Sequence, residues 1–261
     1  MRPNRLRQKL QAGEITVGTR MSTVSPAFVE LVGHTGAYDY VEFLAEFGSF
    51  DLHDLDNFCR AAELYGMGSM IKVDQSHQAF LAQRGVGAGF ESVLFTDCRS
   101  VEDVQQCVRL VSPDTPDDRG LYGVAPRRNA LRDASSDGYV QVLQDTVVAI
   151  MIEKKGAVDN LEKILSVPGV DMVQWGPGDF SMSLGRAGEF DHPEVAAAKN
   201  KVFKTALKMG VAPRAEIHSA YQAKEYLDMG VRHFSLGVDS HVLFQWWKAS
   251  AEQLREIVSG S

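Results

Sequence analysis

Val147-Val148-Ala149-Ile150-Met151-Ile152-Glu153 and Met172-Val173-Gln174-Trp175-Gly176-Pro177-Gly178-Asp179 decide the reading of this chain. Each is a short apolar run that ends in a single carboxylate. A run of that length without alternation reads as a strand buried on both faces, as in a parallel sheet. A helix-like segment, Gly156 to Ser166, separates the two. Parallel strands joined by a helix carry their C-terminal ends on one side, so both carboxylates face one cavity. Two hard oxygen donors with room for water and substrate suit Mg²⁺ or Mn²⁺. The competing reading is that each acid caps the helix after it. Repetition at matching strand ends, the second inside Gly-Pro-Gly-Asp, favours a site.

Outward from these runs, strands and helices alternate along the whole chain. Strands are expected at Ile15–Arg20, Tyr38–Leu44, Gly68–Val73 and Ser92–Thr96, then at the two runs above, Pro213–Ile217 and Arg232–Gly237. Helices are expected at Pro26–Gly33, Asp51–Tyr65, Ser76–Arg84, Ser100–Val111, Pro193–Met209, Ala220–Met229 and Val242–Val258. Ser25 reads as an N-cap with Pro26 at the first helical position. Val101, Val104, Val108 and Val111 repeat at helical spacing. Residues 112–138, rich in Asp, Arg, Pro and Gly, break the pattern as a long loop. Eight strands alternating with helices over about 250 residues predict a single-domain (β/α)₈ barrel spanning 1–261. A doubly wound sheet is the alternative, but no Gly-x-Gly-x-x-Gly follows the first strand.

Composition narrows the function. A formal charge of −7 with no long basic block argues against nucleic acid. No stretch of about 18 apolar residues supports a membrane span, and residues 1–10 do not read as a secretory signal. The three cysteines, Cys59, Cys98 and Cys107, have no Cys-x-x-Cys spacing and read as reduced thiols of a cytoplasmic protein.

At this point the residues resemble a family. Ile152-Glu153, Trp175-Gly176-Pro177-Gly178-Asp179-Phe180-Ser181, His192-Pro193-Glu194-Val195, Gly237-Val238-Asp239 and Arg119-Gly120 are similar to the motifs of the HpcH/HpaI family of class II pyruvate aldolases, within the phosphoenolpyruvate/pyruvate barrels. The resemblance covers nearly the whole chain. It implies a divalent ion (Mg²⁺ or Mn²⁺, with Co²⁺ admissible) on Glu153 and Asp179, where the ion stabilises a pyruvate enolate. It also implies a 2-oxo acid and an aldehyde as reactants, and a homo-oligomer, hexamer or trimer. Trp175, Gly176 and Pro177 fall on its substrate-binding segment.

The departures are specific. The family's second strand ends Asp-Gly-Glu-His, the His serving acid–base chemistry. Here Leu44-Ala45-Glu46-Phe47 stands there: Glu46 keeps the acid, and Phe47 has no proton to exchange. Lys72 replaces an Arg that contacts the pyruvate end, losing the bidentate fork. Arg20, at an aromatic position of the family, is a candidate to restore the guanidinium. Arg214 and Glu216 share a strand face. They either add charges to the cavity, for substrate binding and acid–base work, or pair elsewhere.

His218 reads as a base or, with Ser219, as a cap. Asp239 reads as a cap or a catalytic acid. Arg127 and Arg128 read as anion ligands over the barrel mouth or as solvated loop. Trp246-Trp247 reads as packing or a subunit contact. The candidate catalytic set is Glu46, Lys72, Arg20, Glu216 and His218, with Arg20, Lys72, Trp175, Gly176, Pro177 and Arg214 toward substrate. The expected reaction is carbon–carbon cleavage of a 2-oxo acid. Decarboxylation, dehydration or tautomerisation on the same site, and a metal-binding relic, are the alternatives.

Overall fold

Eight parallel strands close on themselves in chain order. They are β1 (Thr16–Met21), β2 (Tyr40–Leu44), β3 (Gly68–Val73), β4 (Ser92–Phe95), β5 (Val147–Ile152), β6 (Met172–Trp175), β7 (Ala212–Ile217) and β8 (His233–Val238). The computed structural model describes residues 3–125, 127–128 and 136–260. The expected (β/α)₈ barrel is the fold. Most strand residues are buried, which is why the runs lack the alternation of a half-exposed sheet.

The helices that wrap the barrel are largely those the periodicity predicts. They include α2 (Pro26–His34), α3 (Leu52–Leu64), α4 (Gln78–Ala88), α5 (Val101–Val111), α10 (Pro193–Met209) and α12 (Asp239–Ser259). α3 and α5 start with reciprocal capping boxes, Asp51 with Asp54 and Ser100 with Asp103. Ser25 occupies the N-cap of α2 but its side chain makes no cap bond.

Four details differ from expectation. The segment after β5 is two short helices, α7 (Lys155–Asp159) and α8 (Leu161–Leu165), broken at Asn160. Gly-Pro-Gly-Asp opens a helix, α9 (Pro177–Ser183), with Pro177 in its first turn. A 3₁₀ turn at Ala220–Gln222 precedes α11 (Ala223–Asp228). The long connection after α5 runs into α6 (Ser136–Gln144), and its residues 126 and 129–135 lie outside the described residues.

The described part of that connection, 112–125 and 127–128, follows the C-terminus of a helix, so it belongs to the face where strands begin. Arg127 Nη1 donates to the Gln83 carbonyl of α4 at 2.6 Å, and Arg128 pairs with Glu63 at 2.6 Å and donates to the Ala88 carbonyl, near the ends of α3 and α4. Of the two readings of this pair, the place over the mouth is therefore corrected.

On the same face, α1 (Arg5–Ala12), which the periodicity did not reveal, closes the barrel floor. Leu6 enters the inner cluster with Tyr40, Met70, Leu94 and Met172. The Asn4 amide donates to the carbonyls of Glu91 (2.6 Å) and Asp145 (2.7 Å), and the Arg7 guanidinium grips the Asp171 carboxylate. A second, larger core lies between strands and helices and includes the three free cysteines.

Beside the inner apolar cluster the barrel interior carries a buried polar group. Arg214 is fully buried there, donating to Glu42, Gln174 and, at 2.7 Å, the Tyr40 hydroxyl. Gly18 makes room: a Cβ on it would sit 2.3 Å from the Tyr40 ring. Among the described residues, none of α12 is buried, and Val242, Phe244, Trp246, Trp247, Leu254, Ile257 and Val258 lie exposed along it. No helix is long and apolar enough to cross a membrane, among the described residues.

Candidate active site

The strand ends converge on a cavity of about 230 Å³ lined by Arg20, Lys72, Glu153, Asp179 and Glu216, with Leu44, Phe47, Met151 and the backbone of Gly176 to Gly178. It is smaller than the roughly 300–1,000 Å³ of pockets for drug-sized ligands, which suits a small acid. β1, β3, β5 and β7 each end at it, so odd strands supply most of its charges.

Glu153 is 2% exposed. Its Oε1 accepts the Asp97 amide at 2.7 Å. Burial pushes its carboxyl up to about 7, against the opposing effect of that hydrogen bond and of Lys72. Among the described residues no basic side chain pairs directly with it. Gly176 allows the approach, since a Cβ there would stand 2.7 Å from Glu153 Oε2. Asp179, in the first turn of α9, faces the same cavity. A buried carboxylate short of positive charge, beside a second carboxylate, is an oxygen donor pair that fits a hard divalent cation.

Arg20 is held on two sides. Its Nε donates to the Gly237 carbonyl at 3.1 Å and its Nη1 pairs with Glu216 Oε2 at 2.7 Å. Its buried Nη2 has no protein partner among the described residues. Glu216 Oε1 accepts from Gln174 Nε2 at 2.5 Å. Lys72 Nζ pairs with Glu46 Oε2 at 2.6 Å and lies 4.7 Å from the centre of the Phe47 ring. Glu46 thus reaches the site through Lys72.

Several expected residues are set apart. Arg214 points inward as its parity requires, but one turn of the pleat below Glu216, where it is sealed from the cavity. The Trp175 side chain has the opposite parity to Gln174 and packs on Phe180, ring centres 4.7 Å apart, in the outer core. His218 is exposed beyond β7, near His241, while Ser219 supplies the cap of the 3₁₀ turn. Asp239 accepts from the backbone and hydroxyl of Ser22 and from the Thr23 amide, fixing the loop after β1.

Two residues escaped the sequence reading. Lys154 Nζ lies 2.6 Å from Asp179 Oδ1 and 2.7 Å from Asp97 Oδ1. Asp97 has φ +61°, a left-handed backbone that few non-glycine residues adopt. Both stand just past strand ends, the same positional signal that singles out Glu153.

With this geometry in view, the family model for HpcH/HpaI aldolase/citrate lyase matches residues 23–245. The chain belongs to that family. An HpcH/HpaI aldolase of this kind is a lyase, and several similar proteins are aldolases. A hydroxypyruvate/pyruvate aldolase of Paraburkholderia phytofirmans is 29% identical over 261 residues, covering 98% of each chain. A 4-hydroxy-2-oxo-heptane-1,7-dioate aldolase of Escherichia coli is 27% identical over 92% of this chain and 90% of its own. The crystal structure of an HpcH/HpaI aldolase/citrate lyase family protein from Burkholderia cenocepacia superposes with a TM-score of 0.86, at 27% identity, covering 97% of this chain and 99% of that one.

Proposed function

We propose that this family member cleaves and forms a carbon–carbon bond in a 2-oxo acid, with pyruvate or a pyruvate-like enolate as the common fragment. The observation that carries the reading is one small cavity holding Glu153, Asp179 and the unpartnered Nη2 of Arg20. Glu153 and Asp179 would hold a divalent ion, Mg²⁺ or Mn²⁺. Bound there, such an ion supplies Lewis-acid stabilisation of the charge that develops on the 2-oxo oxygen.

The chain's own groups supply the rest. Arg20 Nη2 donates to the substrate carboxylate, and Lys72 Nζ adds a positive charge two strands away. In the cleavage direction a carboxylate oxygen of Glu216 accepts the proton of the 4-hydroxyl. The C3–C4 bond then breaks with its electron pair passing into the enolate, the aldehyde departs, and Glu216 returns its proton to C3 of the remaining fragment. Phe47 takes no part in proton transfer; its ring covers the Lys72 ammonium and screens it from water. The exposed apolar face of α12 supports a homo-oligomer, and the thiol count supports a cytoplasmic protein.

The deciding assay compares retro-aldol cleavage of 4-hydroxy-2-oxo acids with decarboxylation of oxaloacetate, each with and without EDTA. Cleavage that yields pyruvate and is lost with EDTA is the expected result. Cleavage indifferent to EDTA, or decarboxylation alone, would overturn it.

A further inference from the structure

Lys154 stands just outside the cavity, where with Asp179 it lines an adjoining pocket, and its ammonium reaches the Asp179 carboxylate. It follows Glu153 directly, so its backbone is fixed by the end of β5, and its side chain folds back to bridge Asp97 and Asp179. Only 12% of the side chain is exposed, which takes it out of the class of mobile surface lysines. Its contact with Asp179 is through Oδ1, an oxygen of the carboxylate that the reading above assigns to the divalent ion. One carboxylate cannot give its full charge to an ammonium and to a divalent ion together, and two cations that share it repel.

We propose that Lys154 is a resident cation of this centre: it competes with the divalent ion for Asp179, and Asp97 retains it when the ion is bound. The inference rests on the metal reading above. It explains the position of Asp97. Its amide holds Glu153 Oε1 while its carboxylate holds the ammonium, so one residue in a left-handed conformation serves both the ligand and its competitor. Lys154 then acts as a built-in counter-charge. It neutralises the acidic wall before the ion arrives and sets a ceiling on how tightly the ion is held.

The test is calorimetric titration of the EDTA-stripped, full-length protein with Mn²⁺ alone, with the electron paramagnetic resonance signal of free Mn²⁺ as a second measure. Lys154→Met is expected to bind Mn²⁺ at least ~10-fold more tightly than the wild type. Lys154→Arg, which keeps the charge, is expected to stay within about threefold. Asp97→Asn is expected to weaken binding in the wild-type background and to leave it unchanged in Lys154→Met, because its carboxylate acts through the lysine. Equal or weaker binding by Lys154→Met, with normal binding by the wild type, overturns the competition alone. An equal loss from Asp97→Asn in both backgrounds overturns the retaining role of Asp97. Failure of both wild type and Lys154→Met to bind Mn²⁺ overturns the metal reading itself, and this proposal with it.

Discussion

Glu216 on β7 and Arg20 on β1 meet across the intervening β8, Nη1 to Oε2 at 2.7 Å, in the wall of the cavity. The pair couples an acid that can take a proton to the guanidinium that has a free donor for substrate. Glu216→Gln is expected to lower turnover at least ~10-fold while Mn²⁺ affinity stays near that of the wild type. A raised KM with unchanged kcat would mean that Glu216 only positions Arg20. His218→Ala, outside the cavity, is expected to have the smaller effect.

Glu153→Gln and Asp179→Asn are each expected to abolish tight Mn²⁺ binding, because each removes one of two anionic donors. Gly176→Ala is expected to weaken it as well, by pushing on the Glu153 carboxylate across a 2.7 Å gap. Calorimetry on the three variants checks this, and wild-type affinities in all three would move the ion elsewhere.

The Arg214–Glu42 pair has neither partner exposed. Breaking such a pair leaves an uncompensated charge, so Arg214→Met is expected to cost about 3–5 kcal/mol in urea unfolding. Adding Glu42→Leu is expected to recover a large part of that loss. Additive losses would show that the two side chains act separately.

His233 sits at the start of β8, its Nδ1 3.0 Å from the Thr16 hydroxyl. Burial first, then Arg232 and Arg214, lower its pKa from 6.5 to about 4. The unfolded chain therefore binds more protons than the fold between those values, and stability rises with pH across that window. Acidification from about pH 6.5 to 4 is expected to remove up to about 3 kcal/mol through this residue. His233→Gln is expected to flatten that part of the stability curve.

The exposed apolar residues of α12 predict a mass well above the 28.7 kDa of one chain in light scattering at micromolar concentration. Trp247→Glu is expected to lower that mass. A monomer in the unaltered protein would reject the assembly.

Much of the barrel was legible because its strands are apolar runs and its helices carry caps and periodic faces. Glu153 and Asp179 were legible as acids at strand ends. What escaped has physical causes. Strands buried on both faces do not advertise which parity points inward, so Trp175 was read toward the site while Gln174 faces the interior. Arg214 and Glu216 share a face, but their height along the barrel axis separates core from mouth, and height follows from register between strands. Lys154 looks like any polar residue after a strand until the fold brings Asp97 and Asp179 around it. Composition leaves Arg127 and Arg128 open between the barrel mouth and a solvated loop, although residues that follow a helix lie on the opposite face.

The floor formed by α1 has a kinetic meaning. Asn4 and Arg7 pin that helix to carbonyls around the barrel base, and Leu6 stoppers the bore. Reactants therefore share one doorway. On the proposed reading, the fragment held by Arg20 would have to wait for the outer fragment to leave. In the cleavage direction this predicts an ordered exit, aldehyde first and oxo acid last, with the oxo acid inhibiting as the last product to depart. A chain that seals its own barrel at one end has turned a catalytic cup into a queue.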